Sequence, residues 1–185
     1  MLNLCIALAR LPRVHSVDLE LLCYMAGELT QLGTDGAAIA EVKRAMVQRL
    51  AEAESGGQQP GELSRYHSRR LDEVTAPGWQ PSRQASDVLR GQVGRDPDSP
   101  ASLGELDAML AGDGNDDDVW PELRAAERAI HSGQVALDAG DQGAAYAFAA
   151  AAVGAMDCDS GNGIGDMDEI PEALGVLLAR VAVAR

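Results

Sequence analysis

The chain has 185 residues and a formal net charge of −14, from 29 acidic against 15 basic side chains. Six residues are aromatic, and the aromatic and β-branched runs that build strands are scarce. An all-α fold is therefore expected, a helical bundle of about six to eight helices with an irregular Pro/Gly-rich middle segment. A field this negative repels nucleic acid and anionic membranes and attracts cations or basic protein surfaces, chiefly by speeding encounter.

The length suits one domain, or one domain with an appendage, and is enough to bury a core. Charge is unevenly spread: residues 1–55 carry seven acids and five bases, residues 56–101 six of each, and residues 102–185 sixteen acids and four bases. These shifts divide the chain into an amino-terminal helical cluster (1–55), a linker-like segment (56–101) and an acidic helical half (102–185), the last expected to pack with the first as one domain. Cys5, Cys23 and Cys158 are odd in number and lack a short pairing, which fits reduced thiols in a cytoplasmic protein. The apolar start has no basic residue before it and no small-residue cleavage site after it, unlike a signal peptide. The longest uncharged run, 142–156, is fifteen residues of mostly alanine, too short and too weakly apolar to span a bilayer.

Residues 2–11 read as a short helix stopped by Pro12. Ser16 is placed to cap the next helix, whose buried stripe is Leu21, Leu22, Met25, Leu29 and Leu32, with Asp18, Glu20, Glu28 and Gln31 outside. Gly33 ends it. A third helix carries Ile39, Val42, Met46, Leu50 and Ala53 inward and pairs Glu41 with Arg44 on its solvent side. A short helix over 62–74 bears Arg65, Arg69 and Arg70. Residues 75–101, with Pro77, Pro81, Pro97 and Pro100 and Trp79 as the one large anchor, read as mostly irregular, with a helical turn or two near 86–91. The basic cluster with Tyr66 and His67 has the composition of a nucleic-acid contact. The segment is neutral overall, however, and arginines lying against the protein's own acids are the simpler reading.

Ser102 and Glu105 have the spacing of a capping box and open a helix through Leu103, Leu106, Met109 and Leu110 that stops at Gly112. Asp113, Asp116, Asp117 and Asp118 follow, just ahead of a helix with Pro121 near its first turn, where anions favour the positive end of the helix dipole. That helix lines Leu123, Ile130 and Leu137 with Ala126, Gly133 and Ala136 along one face. Its successor turns Tyr146, Ala149, Val153 and Met156 inward amid a run of alanines, and a tight turn at Gly140 and Asp141 joins the two. The spacing of Gly133, Ala136, Gly140, Asp141, Ala145, Ala149 and Ala152 resembles a tetratricopeptide-type helical hairpin over residues 124–157. That family's larger aromatic positions are absent, and no second copy at its period of about 34 residues is visible. The resemblance implies a closely packed antiparallel helix pair of a kind used as a binding groove.

Asp157, Asp159, Asn162, Asp166 and Asp168 lie in an acidic, glycine-rich loop. Ca²⁺ takes about six to eight hard oxygens from a tightly turning chain, which this alternation supplies. Residues 160–166 resemble the calcium loops of EF-hand and dockerin-like proteins. With Asp157 as first ligand, Gly161 stands where a further carboxylate is usual and Asp168 replaces the bidentate Glu; in the other register Cys158 takes the first position. The same residues also read as a turn between helices, with Asp168 and Glu169 capping the last one before Pro171. That last helix turns Ile170, Leu174, Leu177, Leu178 and Val181 inward, and Arg180 suits its negative end.

The chain contains no H-E-x-x-H, C-x-x-C, G-x-S-x-G, phosphate loop or dinucleotide fingerprint, and His15, His67 and His131 are far apart in sequence. His131 reads as a helix-surface or groove residue. Cys158, between two acids, is a poor nucleophile. The expectation is a non-enzymatic protein without a cofactor that binds another, basic protein, in the manner of an immunity protein, toxin inhibitor or secretion chaperone. Asp113, Asp116, Asp117, Asp118, Glu122, Asp138 and Asp141 are the candidate partner-binding residues. A small calcium-binding helical protein is the alternative.

Overall fold

The computed structural model describes residues 16–33, 36–37, 39–41, 43–44, 47–48, 60–92, 121–158 and 169–184. The helices expected at 2–11 and after Ser102, and most inward positions of the third helix, lie outside these residues, as do the side chains of residues 16–18, 60–64, 121–122, 157–158 and 169. All regular structure among the described residues is helical: α1 (Ser16–Gln31), α2 (Pro60–Val74), α3 (Arg83–Leu89), α4 (Pro121–Asp138), α5 (Gln142–Cys158) and α6 (Glu169–Val183), with further helical backbone within 36–48. The all-α expectation therefore holds. No helix among the described residues is long and apolar enough to cross a membrane.

The chain divides into two compact units, Met1–Gln80 and Pro81–Arg185. The middle segment is shared between them: α2 packs on α1, whereas α3 packs on α4 and α6. Only residues 75–82 and 90–92 of that segment, among those described, are turn and coil.

In the first unit α1 is surrounded. Leu19, Leu21, Leu22, Cys23, Tyr24, Met25, Ala26 and Leu29 are all buried, a pattern that fits an internal helix and not a surface one. Glu28, expected outside, is therefore buried as well, whereas Leu32, expected inside, is 46% exposed. Leu32 has already left the helix, whose end is set by Gly33 at φ 66, its N–H bonded to the Thr30 carbonyl at 3.2 Å. Glu41 and Arg44 form the expected ion pair. The chain after α2 is tied back by one side chain: the Gln31 amide donates to the Ala76 carbonyl at 3.1 Å and accepts from the Gly78 N–H at 3.3 Å. This loop places Trp79 beside Tyr24, ring centroids 6.3 Å apart.

In the second unit α4 and α5 form the expected hairpin. The N–H of Gly140 bonds to the Leu137 carbonyl and that of Asp141 to the Ala136 carbonyl, both at 2.9 Å, the paired bonds of a helix end closed by a left-handed residue. Gly140 supplies that residue at φ 81. Asp141 then caps α5, its Oδ1 accepting the Ala144 N–H at 2.9 Å. Gly133 sits at the crossing, where an added Cβ would lie 2.8 Å from Leu177 Cδ2 and 3.4 Å from Phe148 Cβ.

Helix α6 packs against α3, α4 and α5, and residues 170–179 and Val181 are all buried, including the five positions expected inward. Gln142 satisfies its carboxyl end, donating to the carbonyls of Val181 at 3.2 Å and Ala184 at 2.5 Å. The short α3 is fixed at both ends. Ser82 caps it through the Ala85 N–H, and the Ser82 N–H donates to the buried Glu172 carboxylate at 2.8 Å. At the far end His131 Nδ1 lies 3.1 Å from the Leu89 carbonyl, which gives that half-buried imidazole a structural place in the α3–α4 contact.

Candidate functional site

Of the acids expected to face a partner, Asp138 and Asp141 are described with their side chains, and both are exposed. They flank Gly140 at the hairpin turn. Gln134 orients Asp138, donating from Nε2 to Oδ1 at 2.7 Å, while its own Oε1 accepts from Arg180 at 3.0 Å. The bonds accepted by Asp138 and Asp141 each use one carboxylate oxygen, and an ionised carboxylate accommodates several donors. Glu122 lies in the first turn of α4, its side chain outside the described set; Asp113, Asp116, Asp117 and Asp118 lie outside it altogether. Of the candidate calcium ligands, Asp157 is described by backbone alone in the last turn of α5, and Asp159, Asn162, Asp166 and Asp168 fall outside the described residues. Among those described, no three His, Cys, Asp or Glu are grouped so as to hold a metal.

Between Arg128 and Arg180 the sequence has eight acids and no Lys or Arg. Within that stretch α5 shows an outer face that differs from the one expected. Tyr146, expected to pack inward with Ala149, Val153 and Met156, is 49% exposed, and Phe148 is buried in its place with Ala145, Ala149, Ala152, Ala155 and Met156. The outward residues are Gly143, Tyr146, Ala150 and Gly154, recurring at helical steps of three and four. Val135, on α4 near the same turn, is also 53% exposed. Outward apolar residues flanked by exposed carboxylates thus make up the turn end of the hairpin.

The first unit holds a polar cluster that sequence reasoning missed. His67 on α2 is fully buried, and neither ring nitrogen has a hydrogen-bond partner among the described residues. Burial pushes its pKa down to about 4, since a charged imidazole has no water around it. Cys23 on α1 donates from Sγ to the His67 carbonyl at 3.7 Å, and burial first, then the nearby Glu20 carboxylate, push the thiol up to about 12. It is therefore an inert core thiol. Arg70 is held within its own unit: Nη2 and Nε donate to the Tyr24 hydroxyl at 2.6 and 3.2 Å, and Nη1 reaches Glu73 at 3.4 Å. A buried His67 and an engaged Arg70 remove two members of the basic cluster that suggested a nucleic-acid contact. The spacing of His67 to buried Val74, two helical turns, is the sequence signal for this inward placement.

No protein-family model, curated protein or solved structure matches the chain.

Proposed function

We propose that the chain is a non-enzymatic, cytoplasmic protein-binding module that presents an acidic surface to a basic partner, as immunity proteins, toxin inhibitors and secretion chaperones do. The observation that carries this reading is the charge asymmetry: residues 102–185 hold sixteen acids against four bases. Asp138 and Asp141 are exposed on a hairpin rigidly joined through Gly140. Complementary charge of this kind raises association rates and selects partners by sign. Copurification from the native host at low and high salt, followed by reassembly from purified components, tests the reading. The expected result is a basic protein that binds stoichiometrically and more weakly as salt screens the contact. A chain that stays alone at low salt would overturn it.

A further inference from the structure

Helix α5 has no charged side chain from residue 142 to residue 156, yet only part of its circumference is covered. Its packing against α4 and α6 buries the side with Phe148 and Ala152, and leaves Gly143, Tyr146, Ala150 and Gly154 outward. A Cβ built on Gly154 would meet nothing within 4 Å, so that stretch is open. A solvent-facing side of a helix ordinarily carries charged or amide groups. This one offers a phenol ring, methyl groups and backbone. Covering it desolvates no ion, and its small side chains let another helix come close.

Charge at the margins decides what kind of occupant fits. The exposed Asp138 and Asp141 border the face at the turn. A second copy laid parallel on the face would bring Asp138 and Asp141 toward their own counterparts, and anionic lipid would meet the same repulsion. A helix with an apolar side and Lys or Arg spaced along its flanks meets no such penalty.

We propose that the outer face of α5 is the docking surface for the partner, and that the partner enters it as a basic amphipathic helix. This rests on the acidic-module reading above and specifies where and how it binds. Tyr146, Ala150 and Gly154 contact the apolar side of the incoming helix, and Asp138 and Asp141 receive its cations.

The test uses the full chain and two synthetic helical peptides of about twenty residues, enough for five to six turns. One is built of Leu, Ala and Lys; the other has Glu at every Lys position. Amide shifts of the labelled chain, read at low and high salt, report where each binds. The Lys peptide is expected to move the amides around Tyr146, Ala150 and Gly154, and the Glu peptide to bind nowhere. The neutral substitutions Ala150→Gln and Gly154→Gln, at open positions, are expected to weaken the Lys peptide by about tenfold or more, a loss of about 1.4 kcal/mol, without lowering Tm. Binding of the Lys peptide that is indifferent to both substitutions would overturn the docking surface and leave the acidic-module reading standing. Failure of the Lys peptide to bind at low salt would remove both. A dimer of the chain that Ala150→Gln dissolves would assign the face to a second copy and overturn the proposal.

Discussion

Gly27 of α1 faces Val74 of α2 across a gap with no room for a side chain: an added Cβ would lie 2.9 Å from the Val74 carbonyl oxygen and 3.0 Å from its Cβ. The obstacle is main chain, with the Trp79 ring a further 3.1 Å contact, so relief requires the two helices to separate. Gly27→Ala is expected to destabilise the first unit by about 1–3 kcal/mol, although alanine alone would favour the helix by about 1 kcal/mol. Gly154→Ala is the matched control. It has open space around it and is expected to stabilise by up to about 1 kcal/mol. Urea unfolding of both variants decides the point, and equal midpoints would contradict it.

His67 makes stability depend on pH. Its folded pKa, lowered to about 4 from an ordinary 6.5, means that the unfolded chain binds a proton more readily than the folded one. The contribution is fully present above about pH 6.5, falls as pH drops toward 4, and levels off below that. The full swing is on the order of 3 kcal/mol, at about 1.4 kcal/mol per pH unit. His67→Leu is expected to flatten this part of the profile. Chemical denaturation from pH 7 to pH 4 measures it, and an unchanged slope in the variant would assign the acid sensitivity to other groups.

The Ser82 N–H has Glu172 as its acceptor at the start of α3. Glu172→Gln keeps an oxygen there and is expected to change stability little. Glu172→Leu removes the acceptor and is expected to cost about 1–3 kcal/mol, the desolvation penalty of a stranded donor. Amide exchange at Ser82 and Ala85 should quicken in the leucine variant alone.

Gly91 is constrained twice. It sits at φ 64, and an added Cβ would lie 2.7 Å from His131 Nε2. Gly91→Ala is expected to cost about 1–2 kcal/mol from the backbone alone, and more because the imbedded ring must move away from the Leu89 carbonyl. In a His131→Ala background the second part should vanish, so a double-mutant cycle is expected to show coupling.

Helix ends are the part of this fold most legible in sequence. Gly33, Gly140 and Asp141 stand where a left-handed backbone or a capping oxygen is required, and few residue types meet those demands. The inward positions of α6 are equally plain, since bulky aliphatic residues mark them. Helix α5 is different: with alanine at most positions, two helical phases are about equally apolar, one burying Tyr146 and the other Phe148. Its orientation is settled by the Gln142 contacts to α6 and by the fit of Phe148 beside Gly133, both of them tertiary. His67 is obscured for another reason. Its neighbours Tyr66, Ser68 and Arg69 are polar and exposed, so local composition points outward while the helical phase points in. The expected buried stripe of α1 fails at Glu28 because one-sided amphipathicity cannot describe a helix covered on every side, and at Leu32 because the helix has already ended there.

The three-residue link between α4 and α5 also bears on the order of assembly. Closing so short a connection forfeits little chain entropy, whereas bringing α3 and α6 onto the hairpin joins segments distant in sequence. The hairpin is thus the natural nucleus of the second unit. Disturbing Gly133 at its crossing is expected to slow refolding, and Glu172→Leu to hasten unfolding, a contrast that stopped-flow kinetics would read directly.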